Sequence, residues 1–224
     1  MSAAVADEAS ARAWLTQLPD LDTAAIDRLE QLVDLLREEN ARQNLVSAAS
    51  LEEVWRRHIV DSAQLLRFVP RETALSTATP WLDLGTGAGF PGLVVAALRP
   101  EARVLLVESR KRRIAWLEGV VARLGLDHVT VLGSRLEQVP ACAATVISAR
   151  AFAPLDKLTA LSARFSTEAT LWLLPKGRLA AQELRELSGW HHAFHVEPSL
   201  TDTESGIIVG NLLGPMKQKR GVKR

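Results

Sequence analysis

The stretch Trp81-Leu-Asp-Leu-Gly-Thr-Gly-Ala-Gly-Phe-Pro-Gly92 sets four glycines within eight residues behind a short apolar run. An apolar run ending in glycines and opening into a helical pattern reads as a strand, a tight turn and a helix N-terminus. Such loops hold a nucleoside triphosphate, a dinucleotide or a sulfonium-bearing nucleoside. The first needs Gly-Lys-Ser/Thr after its glycines, because the Lys neutralises phosphate and the hydroxyl meets magnesium. Phe90-Pro91 stands there instead. The second fits the spacing of Gly87-Ala-Gly89-Phe-Pro-Gly92, with Glu108 about where a ribose-binding acid belongs. Against it, Asp83 sits inside the strand end and the first turn begins at Gly85, which gives the register Asp-x-Gly-x-Gly-x-Gly.

Outward from the loop, apolar runs at 81–84, 104–107, 129–132, 145–148 and 171–174 alternate with helical patterns at 91–98, 111–124, 154–165 and 178–187. Five strands separated by crossovers, each apolar on both faces, predict an α/β doubly wound parallel sheet. Residues 191–196 and 207–212 are strand-like but joined only by a polar loop, so they predict a terminal antiparallel hairpin. Upstream, Ile26, Leu29, Leu32, Val33 and Leu36 repeat at helical spacing. Ser50 and Glu53 form a capping-box pattern for a following helix that Pro70 ends. The chain thus divides into an unstructured 1–9, a helical extension over 10–70, a main domain over 71–214 and a disordered basic tail over 215–224.

The 224 residues are 47% hydrophobic and carry a formal charge of +1. Lys217, Lys219, Arg220, Lys223 and Arg224 put +5 on the last eight residues, so the other 216 carry −4. That tail offers phosphate neutralisation without sequence information. Cys142 is the single cysteine, which excludes an intramolecular disulfide and a cysteine zinc site and fits a cytoplasmic location. No metal site is expected. The N-terminus lacks the apolar core of a signal peptide, and no run reaches the length of a membrane span.

The register Asp83-x-Gly85-x-Gly87-x-Gly89 resembles motif I of the S-adenosylmethionine-dependent methyltransferases of Rossmann-like fold. Their sheet ends in one reversed strand, as the terminal hairpin suggests, whereas dehydrogenase sheets are wholly parallel. Two acceptor signatures are absent: there is no tyrosine for an Asn/Asp-Pro-Pro-Tyr motif, and Cys142 precedes the fourth strand instead of serving as a nucleophile. Six stretches then carry a narrower resemblance: Asn44-Leu-Val, Arg57-His-Ile-Val-Asp-Ser62, Asp83 to Gly92, Glu108-Ser-Arg-Lys-Arg112, Ser134-Arg-Leu-Glu137 and Ala149-Arg-Ala-Phe152. Together they are similar to the bacterial 16S rRNA guanine-N7 methyltransferases, also called the glucose-inhibited division protein B family. The Arg-His-Ile-Val-Asp-Ser helix and the Gly-Phe-Pro-Gly ending are the specific parts.

The resemblance implies S-adenosyl-L-methionine as cofactor and a guanine of 16S rRNA, position 527, as target. The RNA would be met naked or within the small ribosomal subunit or an assembly intermediate, by a monomeric enzyme without membrane contact. Cofactor contacts are implied at Asp83, Gly85, Gly87, Gly89, Phe90, Glu108, Leu136, Glu137 and Arg150. Arg57, His58, Asp61 and Ser62 are candidates for the substrate side, as are Arg110 on the helix after Glu108, Lys176, and Lys217, Lys219 and Arg220 in the tail. Pro175 fixes φ beside Lys176 and puts the aim of that side chain in question. Guanine N7 carries a lone pair and no proton, so no general base and no catalytic side chain is expected. The rival readings are a methyltransferase for a small molecule or protein, which gives the tail and Lys176 no role, and a nicotinamide oxidoreductase built on Gly87 to Gly92.

Overall fold

The structure, a computed structural model, describes residues 5–19, 21, 23–70, 73 and 79–216. Trp81–Leu84 forms β1, buried along its whole length. It pairs in parallel with β2 (Val104–Val107) on one side. On the other it pairs in parallel with β4 (Val146–Ala149). β3 (Val129–Leu132) extends the sheet beyond β2, and β5 (Leu171–Gly177) extends it beyond β4. Continuous apolar strands are what a sheet covered on both faces demands. After β5 the direction reverses. The long strand β8 (Gly206–Pro215) runs antiparallel to β5 and carries two short strands on its far side, β6 (Trp190–His192) and β7 (His195–Pro198). The order is β3-β2-β1-β4-β5-β8-β6, with β7 also on β8. The expected strand over 191–196 is therefore broken between His192 and His195. Its two pieces pair with different stretches of β8, with a register shift at His191/His192.

The helices are α1 (Glu8–Leu15), α2 (Thr23–Gln43), α3 (Ala48–Glu52), α4 (Asp61–Ala63), α5 (Gly92–Leu98), α6 (Lys111–Arg123), α7 (Leu155–Ser162) and α8 (Ala180–Glu186). α4 is the middle of a helical segment that begins as a π turn over Trp55–Val60 and tightens into a 3-10 turn over Gln64–Phe68. One face of the sheet packs against α5, α6 and the N-terminal helices. Leu29, Leu32 and Leu36 of α2 share a single apolar cluster with Trp81, Leu93 and Leu106. The other face packs against α7 and α8 through Leu82, Leu105, Ile147, Trp172 and Phe165. The helical extension thus has no core of its own: it closes the core of the sheet.

Two local expectations are corrected. Residues 5–9 are structured, because Val5 is buried and donates its N–H to Leu200 O, while Asp7 caps α1 by accepting from Ser10 N. The cap of the next helix is Ser47, which accepts from Ser50 N, so the Ser50–Glu53 pairing does not form. Glu53 is instead drawn to Arg56. Residues 1–4 and the basic tail, with Lys217, Lys219 and Arg220, lie outside the described residues. Among the described residues no helix is long and apolar enough to cross a membrane.

Candidate active site

The glycine loop is held from below by a buried polar chain. Trp81 Nε1 donates to Ser148 Oγ at 2.8 Å, and Ser148 Oγ donates to Asp83 Oδ1 at 2.7 Å. Asp83 Oδ2 accepts from Gly92 N at 3.2 Å. The chain joins β1, β4 and the start of α5, the three elements the loop must align. Asp83 is fully buried and does not line the cleft above. Burial pushes its carboxyl up to about 6, and the hydrogen bonds from Ser148 and Gly92 pull the other way. Gly92 is required by close approach: a Cβ there would meet Asp83 Oδ2 at 2.8 Å and a δ-methyl of Leu106.

Above the loop lies a cleft of about 420 Å³ at the carboxyl ends of β1, β2 and β4. Gly85, Gly87, Phe90, Glu108, Leu136 and Arg150 line it, six of the nine residues expected on the cofactor side. Gly89 and Glu137 do not line it, and Glu137 is exposed on the 3-10 turn after β3. Gly85 has φ +63°, and a Cβ on it would strike the Phe152 ring. Phe90 is only 3% exposed, because its ring is stacked on His58 with centroids 4.9 Å apart and lies under the Arg150 guanidinium at 5.2 Å.

Glu108 is the acceptor of this cleft. Its Oε1 takes the N–H groups of Ser109 and Arg110 at 2.7 and 2.8 Å, and Oε2 takes Gly87 N at 3.0 Å. A carboxylate offers about four acceptor sites, so one remains open, on Oε2. The carboxylate thereby clamps the glycine loop to the entry of α6 and keeps room for one hydroxyl donor. A nucleoside ribose presents such donors, and the loop floor carries no side chain at Gly85 or Gly87. The residues therefore fit the adenosyl part of S-adenosylmethionine.

A second cleft of about 800 Å³ opens on the side of β4 and β5. Arg57, His58, Asp61 and Lys176 all line it, as the sequence reading requires of a substrate side. Ser62 does not: it is 1% exposed and donates to His58 O at 2.6 Å. Arg110 belongs to the first cleft instead. The two clefts share a wall made of Arg150, Ala151 and Phe152. Ala151 holds φ +53°, the left-handed region that a β-carbon disfavours. Arg150 is fixed from three directions: it donates to Arg57 O at 3.2 Å, Asp61 Oδ2 at 3.3 Å and His58 Nδ1 at 3.1 Å. A guanidinium only donates, so His58 accepts at Nδ1 as the neutral ring. Burial, followed by the charges of Arg150 and Arg57, lowers its pKa to about 3.

Pro175 does not throw Lys176 off the site. β5 carries Pro175 opposite Ile207, and the register shifts between Pro175 and Gly177. Lys176 Nζ lies 2.9 Å from Glu183 and donates to Ala153 O at 2.5 Å. Its charge is thus spent on closing the far end of the second cleft. Arg113, the last cation of the run Arg110-Lys-Arg-Arg113 that the sequence marks as a phosphate-binding candidate, lines the first cleft and donates to Asn44 O. Sequence reasoning missed two contributors. Glu183 is an ordinary helix carboxylate until the fold brings it to Lys176. The segment Ser199 to Ser205 lines the second cleft, and Thr201 Oγ1 donates to Asp61 Oδ1 at 2.8 Å. Only its turn-forming composition marked it.

The profile of the family described as rRNA small subunit methyltransferase G matches residues 25–201. The chain is 58% identical to the Ribosomal RNA small subunit methyltransferase G of Erythrobacter litoralis over 207 residues, which are 92% of this chain and 97% of that one. It is 56% identical to the protein of the same name from Novosphingobium aromaticivorans, over 97% of this chain and 94% of that one. Among solved structures it is similar in fold to the O-methyltransferase TomG from Streptomyces achromogenes in complex with SAM. That likeness has a TM-score of 0.57 at 15% identity and covers 92% of this chain and 97% of that one. A SAM-dependent methyltransferase from Aquifex aeolicus gives a TM-score of 0.53 at 16% identity, covering 81% and 98%. These likenesses establish the Rossmann-like methyltransferase fold. With a glycine cleft shaped for an adenosyl group and matching sequence along nearly its whole length, the chain belongs to the rRNA small subunit methyltransferase G family, whose members are S-adenosylmethionine-dependent rRNA methyltransferases.

Proposed function

We propose that this protein methylates N7 of a single guanine in 16S rRNA, the guanine at position 527 in the family's terms. The observation that carries the reading is the shared wall: Arg150, Ala151 and Phe152 face the adenosyl-shaped cleft on one side and a larger polar cleft on the other. When bound, S-adenosylmethionine supplies a methyl group already activated on a sulfonium. Gly85, Gly87 and the free acceptor site of Glu108 hold its adenosine. The protein's task is to place the acceptor atom in line and to keep water out.

The second cleft suits a purine with no proton to lose. His58 is neutral and pinned by Arg150, and Lys176 is paired with Glu183, so neither is poised as a base. Arg150 spends three of its five N–H groups on Arg57, Asp61 and His58. The other two are free to donate to acceptors such as guanine O6, next to N7. Methylation leaves positive charge on the base, and the carboxylates of Asp61, Asp202 and Glu183 line the cleft that receives it. N7 must leave any stacked helix to enter, so the target nucleotide is unpaired or flipped out. The test is mapping of N7-methylguanine in small-subunit rRNA from cells with and without the protein. Loss of one such mark in the deleted cells is expected. An unchanged pattern, or a methyl group on another atom, overturns the reading.

A further inference from the structure

The body of the chain, residues 1–216, carries −4, yet one edge of the molecule is cationic. β2 and β3 are adjacent and parallel, with Val107 opposite Leu132. The segments leaving their carboxyl ends therefore emerge side by side. One is Ser109-Arg110-Lys111-Arg112 and the other Gly133-Ser134-Arg135. Arg110, Lys111, Arg112 and Arg135 are all exposed, and none forms an ion pair with a described residue. Glu137 is the exposed acid on the same turn as Arg135. Three of these cations open α6, whose first turn holds no acid and whose cap residue makes no side-chain hydrogen bond. Positive side chains oppose the helix dipole there. Glu108 accepts from Arg110 N at this entry and Glu38 and Glu39 share a groove with Arg112, but no described ion pair neutralises these cations, and an external polyanion would.

Strand order decides what the polyanion must cross. The sheet reads β3-β2-β1-β4-β5. The cationic edge stands at the ends of β2 and β3, the acceptor cleft on the side of β4 and β5, and the adenosyl-shaped cleft between them at the ends of β1, β2 and β4, with Arg110 on its rim. Resting on the proposed function, we infer that the rRNA strand delivering its base to the acceptor cleft runs on across the mouth of the cofactor cleft and lays its phosphates on Lys111, Arg112 and Arg135. The RNA then roofs the cofactor. S-adenosylmethionine enters before the RNA, and S-adenosylhomocysteine leaves after it.

The test uses full-length protein and a transcript of 16S rRNA. Lys111→Gln, Arg112→Gln and Arg135→Gln, combined, remove three exposed charges that line neither cleft named above. The slope of log affinity against log salt should fall by about 2 to 3, at ~0.7 to 0.9 per phosphate contact. In the parent protein, release of labelled S-adenosylhomocysteine should slow at least ~5-fold when the transcript is bound, the low end of coupling between sites. The triple variant should lose that slowing while its S-adenosylhomocysteine affinity without RNA stays unchanged. An unchanged salt slope, or release indifferent to RNA, overturns the inference even where rRNA is still methylated. Polyuridylate producing the same slowing as the transcript overturns the base-delivered path, since that path needs the target guanine seated. Absence of any rRNA methylation by the parent protein counts against the proposed function itself.

Discussion

At Gly85 one backbone angle decides whether the loop exists. Its φ of +63° costs an L-residue roughly 1–2 kcal/mol, and an added β-carbon collides with Phe152. Phe152 also walls both clefts, so the collision is transmitted to the site. Gly85→Ala is expected to weaken S-adenosylhomocysteine binding by at least about tenfold, the equivalent of ~1.4 kcal/mol, with a lowered Tm. A calorimetric titration checks it, and parent-like affinity contradicts the placement of the cofactor. Asp83 offers a second residue-scale test. Its folded pKa, about 6, stands above the ordinary aspartate value of 3.8. The folded state therefore holds a proton that the unfolded state has released between those values. Stability from this group is fully present below about pH 4 and is lost as pH rises through about 6, to the extent of about 3 kcal/mol at ~1.4 kcal/mol per unit. His58 has the opposite sign: with its folded pKa depressed to about 3, its contribution is present above 6.5 and is lost as pH falls. Asp83→Asn should remove the first dependence and leave the second. Its unfolding free energy should rise more steeply with pH between 4 and 6 than that of the parent. A parallel pair of curves refutes a buried, protonatable Asp83.

At the scale of elements, the N-terminal helix earns its place through its first residue. Glu8 Oε2 accepts from Trp55 N at 3.1 Å and Oε1 from Arg56 N at 2.8 Å. These are free N–H groups at the start of the 55–68 helical segment, the same segment whose Arg57, His58 and Asp61 line the second cleft. A carboxylate at a helix start satisfies donors that would otherwise be orphaned and complements the dipole. Glu8→Ala should cost about 1–3 kcal/mol in unfolding free energy. Because α1 lies away from both clefts, it should change the affinity for RNA more than that for the cofactor. Equal effects on both would show that the segment is not the path. Ser47 makes a smaller case: Ser47→Ala should cost about 1 kcal/mol, the usual value of a lost N-cap. Thr at the same place should retain most of it.

For the whole molecule, one core spans extension and sheet. Leu32 is fully buried in the same cluster as Trp81 and Leu106. Leu32→Ala should cost about 2–5 kcal/mol, and denaturant unfolding followed by tryptophan fluorescence and by circular dichroism should still give one shared transition. Two separated transitions would mean that the extension folds as a unit of its own.

The sequence by itself determined the class of fold and the loop. Strands β1, β2 and β3 fall on the residues their apolar runs predicted, because short aliphatic runs between turns suit the interior of a covered sheet; Asp83 in β1 and the exposed Thr130 at the edge in β3 are the polar exceptions. Gly85, Gly87 and Gly92 were legible for a related reason: glycine takes the positive φ of the first two without penalty, and at Gly92 it leaves room for the close approach of Asp83 and Leu106. Side chains whose meaning depends on a distant partner stayed illegible. Asp83 reads as a ligand contact beside the loop, but tertiary packing turns it under the sheet to hold Ser148 and Gly92. Lys176 reads as a free cation until α8 brings Glu183 to it. The shared wall of the two clefts, the Thr201–Asp61–Arg150 contacts and the cationic edge at β2 and β3 exist only once strands far apart in sequence lie side by side. Local patterns are set by each residue's own backbone and solvent preferences. Partnerships between ions are set by which surfaces the core forces together.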